Sequence, residues 1–122
     1  MSYYKELKVW QMAMQLVLEV YKHTRQFPRD ELYGLTAQMR RASVSVPSNI
    51  AEGKGRHSHK DLVHFLFQAR GSLLELETQA IIARDLGYLE HEPFHTLQTK
   101  TEEVRRTLNG LIAKFQESVP ST

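Results

Sequence analysis

The chain has 122 residues, a net charge of +2 and no cysteine. This length suits one domain, residues 1–122, with a core near the small end of the range. The lack of cysteine excludes disulfides and thiolate chemistry and suits a reducing cytosol, so we expect a cytoplasmic protein. The N-terminus has no signal-peptide pattern, and no apolar run approaches the roughly 18 residues of a membrane span, so we expect no membrane partner.

The first predicted helix covers residues 4–26. Steps of three and four place one apolar stripe on a single helix face, and its members are Leu7, Trp10, Met14, Val17 and Tyr21. A second stripe lies beside it and consists of Val9, Ala13, Leu16 and Val20. Phe27-Pro28 ends this helix, because the residue before a proline is pushed out of helical geometry.

The second predicted helix covers residues 31–53, with Asp30 as its expected N-cap. Pro47 lies inside this helix. A proline there removes one backbone hydrogen bond and clashes with the carbonyl four residues earlier, so we expect a kink and not necessarily an end. Gly53 and Gly55 can then close the helix.

The third and fourth predicted helices cover residues 59–86 and 92–117. Ser58 begins the third through a capping-box pattern, and Gly87 closes it. Pro93 lies in the first turn of the fourth, where proline is favoured. Four helices with short connections and an apolar period near 3.5 predict an all-α, antiparallel, up-down-up-down four-helix bundle.

The first and third helices carry more apolar surface than a bundle core needs. The candidate oligomer-interface residues are Val9 and Leu16 on the first helix and Val63, Phe67, Leu74 and Ile81 on the third. Contiguous exposed apolar patches of this kind mark association, so we expect a homo-oligomer. The alternative is a wide stripe that faces the chain's own core.

One pentapeptide, HEPFH at residues 91–95, matches the zinc-protease pattern HExxH. That motif must lie in mid-helix, so that two histidines one turn apart bind the metal. Pro93 instead moves it to a helix start, and the sequence offers no obvious third ligand. We therefore expect no catalytic residue, no metal site, no cofactor and no enzymatic activity. A metallohydrolase centred on His91 and His95 is kept as an outside alternative.

Positive charge concentrates between residues 40 and 60. This segment carries +4 and leaves −2 for the rest of the chain. Its cations are Arg40, Arg41, Lys54, Arg56 and Lys60. Such a cluster can neutralise phosphates and bind RNA or DNA with little sequence preference. In the alternative, the arginines pair with carboxylates such as Glu75, Glu77 or those of a neighbouring subunit, in a protein-interaction scaffold with no nucleic-acid role.

Several runs of the sequence resemble the signature of a bacterial protein family. They include residues 38–42, 44–53, 71–73, 75–79 and 86–89, which read QMRRA, VSVPSNIAEG, GSL, ELETQ and LGYL. Together they resemble the four helix bundle protein family, also called the 23S rRNA-intervening-sequence protein family. The resemblance covers almost the whole chain.

The resemblance implies an antiparallel bundle that assembles into a ring, with a pentamer expected. Family members are similar in fold to the accessory variability determinant (Avd) of diversity-generating retroelements, a basic pentamer that binds nucleic acid and a reverse transcriptase. The resemblance thus implies self-association. The other partners that it implies are RNA or DNA, and a reverse transcriptase or another protein. Fold alone does not carry function, so these remain expectations.

Overall fold

The computed structural model describes residues 4–117 and residue 119, and no strand occurs among them. Four α-helices follow in order: α1 (Lys8–Thr24), α2 (Leu35–Lys54), α3 (His59–Asp85) and α4 (His91–Gln116). Two short 3-10 helices, Tyr4–Glu6 and Arg29–Glu31, precede α1 and α2. The predicted all-α, four-helix architecture is confirmed. No helix in this described part of the chain has the length and apolar character that crossing a membrane requires.

Each helix packs against its neighbours along the chain, and α1 also packs against α4. Among the described residues the backbones of α1 and α3 do not approach each other, and neither do those of α2 and α4. These two pairs therefore occupy the diagonals of the bundle. Helix α1 is antiparallel to α2, because Arg40 near the start of α2 donates a hydrogen bond to Thr24 at the end of α1.

Helix α1 faces the core with Val9, Ala13, Leu16 and Val20. Val9 and Leu16 are only 3% and 0% exposed, so the prediction that they lie at an oligomer interface is wrong. Both stripes have helical spacing, and the structure buries the one that contains Ala13. The surface of α1 instead carries Met14 from the other stripe, together with Leu18.

The candidate interface residues of α3 divide between core and surface. Val63 is buried within the chain, so it too is unavailable to a neighbouring copy. Phe67 is half-buried and packs against the core. Leu74 and Ile81 are exposed, Leu74 to 46%. The apolar surface left on α3 thus consists of Leu74 and Ile81, joined by the exposed Ile82, which was not among the candidates.

Helix α2 begins at Leu35, four residues later than predicted, and Asp30 is not its N-cap. The 3-10 helix before it brings the Glu31 carboxylate to the first turn, where Oε1 accepts the N–H of Leu35 at 3.0 Å. The other oxygen, Oε2, accepts the hydroxyl of Tyr88 at 2.9 Å. Glu31 therefore joins the α1–α2 connection to the α3–α4 connection.

Helix α2 continues through the buried Pro47, and the kink expected there stays a prediction. Its close approach to α3 occurs at Gly53. A Cβ atom at this residue would lie 2.9 Å from Cβ of Phe65 and 3.2 Å from the carbonyl oxygen of Leu62. The two helices can come this close only because residue 53 has no side chain.

Helix α3 begins at His59, as predicted, and ends at Asp85, one residue earlier than predicted. The Ser58 hydroxyl accepts the N–H of Asp61 at 3.1 Å, as an N-cap does. Gly87 has a φ of +82°, in the left-handed region that favours glycine. The N–H of Tyr88 donates to the carbonyl of Ala83 at 2.8 Å, a bond of the Schellman motif.

Candidate nucleic-acid interface

The structure separates the five cations singled out in the sequence into two groups. Arg41 and Lys54 both lie on α2, and the 13 residue steps from one to the other correspond to about 20 Å along the helix axis. Arg40 and Arg41 are at the end of the bundle where α1 leads into α2. Lys54, Arg56 and Lys60 surround the α2–α3 turn at the opposite end.

Two further arginines, both from the connection between α1 and α2, lie beside the first group. Arg25, Arg29 and Arg40 line one surface groove of about 230 Å³. Arg40 and Arg41 line a second groove of about 510 Å³. The two adjoin, because Leu32 and Arg40 contribute to both. We call the combined groove, lined by Arg25, Arg29, Arg40 and Arg41, the arginine groove.

Arg40 is held in a fixed position at the centre of the arginine groove. Its Nε donates to the Thr24 hydroxyl oxygen at 2.9 Å, and that hydroxyl donates in turn to the carbonyl of Val20 at 2.7 Å. The guanidinium carbon lies 4.6 Å from the ring centroid of Tyr21, in a cation–π contact. The terminal Nη donors of Arg40 have no hydrogen-bond partner among the described residues. They remain available to an anion.

No carboxylate lines the arginine groove within the described ranges 4–117 and 119. The nearby Glu31 is occupied by Leu35 and Tyr88. Its pKa lies below the ordinary carboxyl value because the N–H of Leu35 and then the hydroxyl of Tyr88 stabilise the charged form. Asp30 is exposed and does not line the groove.

The four groove arginines also have no ion-pair partner in this part of the structure. Ion pairs instead involve His23, Arg56, Arg84, Arg105 and Arg106. Glu77, one carboxylate considered as a partner, binds Arg105 at 3.1 Å. Glu75, the other, accepts a hydrogen bond from Gln79 at 3.4 Å. The intrachain pairing considered as the alternative is therefore not formed by Arg40 or Arg41.

The second group, Lys54, Arg56 and Lys60, we call the turn cluster. Arg56 is partly neutralised there, because its guanidinium binds Glu52 at 2.9 Å. The same guanidinium stacks 4.7 Å from the ring centroid of Phe65. Lys60 is exposed. A groove of about 560 Å³ adjoins this turn, and its lining includes both Glu52 and Arg56.

Sequence analysis missed three cations that the fold adds to these groups. Arg25 and Arg29 join the arginine groove from outside the segment of residues 40 to 60. Lys114 joins the turn cluster, with its Nζ 5.6 Å from the ring centroid of Phe115. The position of Arg25 could have been predicted from the antiparallel α1–α2 hairpin, because residues equally far from the loop of a hairpin face each other. Lys114 had no local signal.

The HEPFH pentapeptide occupies the first turn of α4. The helix begins at His91, one residue earlier than predicted, with Pro93 in its first turn as expected. The rings of His91 and His95 stack with their centroids 6.3 Å apart. Among residues 4–117 and 119, no three His, Cys, Asp or Glu side chains come together in a group that could hold a metal ion.

Fold and surface together define a class: an all-α, four-helix protein whose most distinctive surface is a basic groove. A family model described as 23S rRNA-intervening sequence protein matches residues 5–110. The chain belongs to this family, which confirms the resemblance seen in its sequence.

The fold is also similar to a solved structure. That crystal structure is of a protein of unknown function from the S23 ribosomal protein family of Bacteroides thetaiotaomicron. The TM-score is 0.77 at 19% identity, and the match covers 85% of this chain and 97% of the other. At this identity the likeness shows the fold alone. A search of curated proteins found no match.

Proposed function

We propose that this chain is a non-enzymatic, cytoplasmic, homo-oligomeric four-helix protein that binds RNA or DNA through the arginine groove. One observation carries the proposal: four arginines line a groove that has no carboxylate among the described residues. Cations without an ion-pair partner can exchange their role with the counterions of a phosphate backbone and contact the phosphates directly, which favours binding at low salt. Arginine also matches the geometry of a phosphate through paired N–H donors.

The turn cluster supplies a second and weaker contact in this proposal. Lys54, Lys60 and Lys114 carry positive charge at the far end of α2, where Arg56 is shared with Glu52. A nucleic acid that spans about 20 Å could reach both groups on one copy. Several copies in an oligomer would repeat both groups and strengthen the field around the assembly.

Binding of labelled RNA and DNA strands, followed by fluorescence anisotropy over a salt series, tests the proposal. The double variant Arg25→Ala/Arg40→Ala should bind more weakly, and each lost phosphate contact should reduce the salt slope by about 0.7–0.9. The matched control, Arg84→Ala/Arg106→Ala, removes the same charge from exposed arginines that are paired with carboxylates. Absence of wild-type binding at low salt, or equal losses in the two double variants, would refute the proposal.

The oligomer is proposed to form between the outer faces of α1 and α3. Met14 and Leu18 are exposed on α1, and Leu74 and Ile81 on α3. Because these helices are diagonal in the bundle, the two faces point to opposite sides. Contacts between unlike faces repeat from copy to copy and close into a ring when the rotation allows. The pentamer is the ring size that the family resemblance implies.

Paired surface variants test this arrangement by light scattering. Wild type should exceed the 14.2 kDa of one chain, whereas Leu18→Glu and Leu74→Glu should each be smaller than the wild-type assembly. An equal mixture of the two variants should give dimers, since each variant keeps the face that the other lacks. Leu32→Glu, a matched change outside both faces, should leave the mass unchanged. A monomeric wild type would contradict the proposal.

The second candidate function is a protein-interaction scaffold without a nucleic-acid role, with a reverse transcriptase or another protein as partner. The exposed faces of α1 and α3 favour it, because contiguous apolar surface marks association. In that case the anisotropy experiment shows no binding at any salt concentration, while the mass measurements still show self-association.

A further inference from the structure

We propose that the arginine groove takes single-stranded nucleic acid, with one unpaired base stacked on the ring of Tyr33. This inference rests on the proposed function and specifies its ligand. Tyr33 is 93% exposed and lines the same groove as Arg40, Arg41 and Val44. Aromatic rings beside cations are the usual elements of sites that bind single strands, since every base presents a face that can stack.

The ring of Tyr33 differs from the other aromatic rings near the two groups of cations. The guanidinium of Arg40 already lies over Tyr21, which is 38% exposed. At the opposite end, Arg56 lies over Phe65, and Lys54 and Lys114 lie near Phe115. No cation–π contact of this kind involves Tyr33 within the described part of the chain, so its ring face is open to a base.

Phosphate and base contacts can form together in this groove. The Nη donors of the fixed Arg40 have no protein partner among the described residues, and Arg41 is exposed beside it. The groove that these arginines share with Tyr33 has a volume of about 510 Å³, within the usual range for small-molecule sites. That space suits one or two nucleotides with their phosphates.

Duplex and single strand should therefore differ in how they use Tyr33. In a duplex the base faces are stacked on one another, so only the phosphates are available to the groove. An unpaired strand can give its phosphates to the arginines and a base to Tyr33. The arginines act on both ligands, whereas Tyr33 acts on single strands alone.

The test compares a labelled single strand with a duplex made from the same strand by fluorescence anisotropy. Tyr33→Leu should weaken single-strand binding by about fivefold to 150-fold, the usual effect of one base–aromatic stack. Tyr33→Phe, which keeps the ring, should bind as wild type does. All three proteins should bind the duplex equally. Because Tyr33 is almost fully exposed, neither substitution should change the fold.

An abasic strand provides the matching change in the ligand. Wild type should bind a strand of abasic nucleotides more weakly than the normal strand, by the same factor that Tyr33→Leu costs. Tyr33→Leu should bind both strands with the same affinity, because the substitution and the loss of the bases remove the same stacking contact. Full additivity of the two losses would overturn the stacking of a base on Tyr33.

The remaining outcomes separate this inference from the function on which it rests. If Arg25→Ala/Arg40→Ala loses binding but Tyr33→Leu binds single strands normally, the inference is overturned and the proposed function stands. Equal weakening of duplex and single-strand binding by Tyr33→Leu also overturns the inference. A change in the oligomer mass of Tyr33→Leu does the same, because Tyr33 would then act in self-association and not in base stacking. If wild type binds neither ligand at low salt, both proposals fail.

Discussion

The two ends of α2 carry similar numbers of cations in very different settings. At one end, Arg40 is braced by Thr24 and Tyr21 and meets two arginines from outside α2, with no carboxylate in the described groove lining. At the other, Arg56 lies between Glu52 and Phe65. Surface ion pairs contribute little to stability, but they reduce the charge that an incoming phosphate meets. The availability of a cation therefore depends on its neighbours more than on how many cations its segment holds.

The largest expected effect concerns the packing that supports the turn cluster. Gly53→Ala should lower the free energy of unfolding by about 1–3 kcal/mol, because the added Cβ meets Phe65 and the carbonyl of Leu62. Gly110→Ala is the control, since a Cβ there has nothing within 4 Å, and it should stabilise α4 by up to about 1 kcal/mol. Urea unfolding measures both. Stabilisation by Gly53→Ala would show that α2 and α3 do not meet this closely.

The next effect compares one arginine from each end of α2 in nucleic-acid binding. Arg40→Ala should weaken binding by at least about tenfold, because hydrogen bonds to charged groups contribute about 1.5–3 kcal/mol and each 1.4 kcal/mol is a factor of ten. Arg56→Ala removes the same charge and should weaken binding less, because Arg56 already forms an ion pair with Glu52. Anisotropy titrations at one fixed salt concentration give the two losses. A larger loss for Arg56→Ala would reverse the assignment of the main binding surface.

A smaller effect is expected at the N-cap beside the turn cluster. Ser58→Ala removes the hydroxyl that accepts the N–H of Asp61 and should destabilise the chain by about 1 kcal/mol. Ser58→Asp keeps a capping oxygen and should retain most of the stability in urea unfolding. If Ser58→Ala and Ser58→Asp are equally unstable, the cap is not what stabilises the start of α3.

The smallest effect is a pH dependence at the end that holds the arginine groove. The pKa of Glu31 is lowered from 4.5, so its contribution to stability is present above pH 4.5 and is lost as the pH falls through the lowered value. The pKa of Tyr88 is raised from 10.0 because its hydroxyl donates to Glu31. The Tyr88 contribution is present below pH 10.0 and is lost as the pH rises through the raised value.

Urea unfolding over a pH series separates the loss of stability at acid pH from the loss at alkaline pH. Glu31→Gln should remove the loss of stability on the acid side. Tyr88→Phe should remove the alkaline loss and keep most of the acid one, since the N–H of Leu35 is the main cause of the lowered Glu31 pKa. An acid loss of stability that disappears in Tyr88→Phe would mean that the hydroxyl, and not the backbone, holds the Glu31 charge.

Much of the fold could be predicted from local pattern. Ser58 and Gly87 fix the ends of α3 through contacts within a few residues, and both were predicted. The start of α2 was not, because Glu31 acts as a cap only after a 3-10 helix has brought its carboxylate to Leu35. Aspartate is a better N-cap residue than glutamate, so the sequence favours Asp30. The 3-10 helix instead places the carboxylate of Glu31 beside the N–H of Leu35.

Less of the candidate site could be predicted. Arg40 and Arg41 were identified from charge density alone, and both line the arginine groove. Arg25 and Arg29 were missed because charge was counted along the chain, whereas the α1–α2 hairpin brings them to Arg40 across space. Tyr33 was missed because a single tyrosine in a loop has no pattern. Its exposure becomes meaningful only beside the groove.

By itself, the sequence determined the four helices, most of their ends and the family, because these depend on contacts between residues three or four positions apart and on motifs read along the chain. Only the tertiary structure decided that Val9 and Leu16 belong to the core and that Arg40 belongs with Arg25. Two adjacent stripes have the same period, and cations in one segment can face different directions. The packing of the four helices against one another decides which stripe is buried and which cations lie together, because contacts between distant residues depend on the arrangement of the whole bundle.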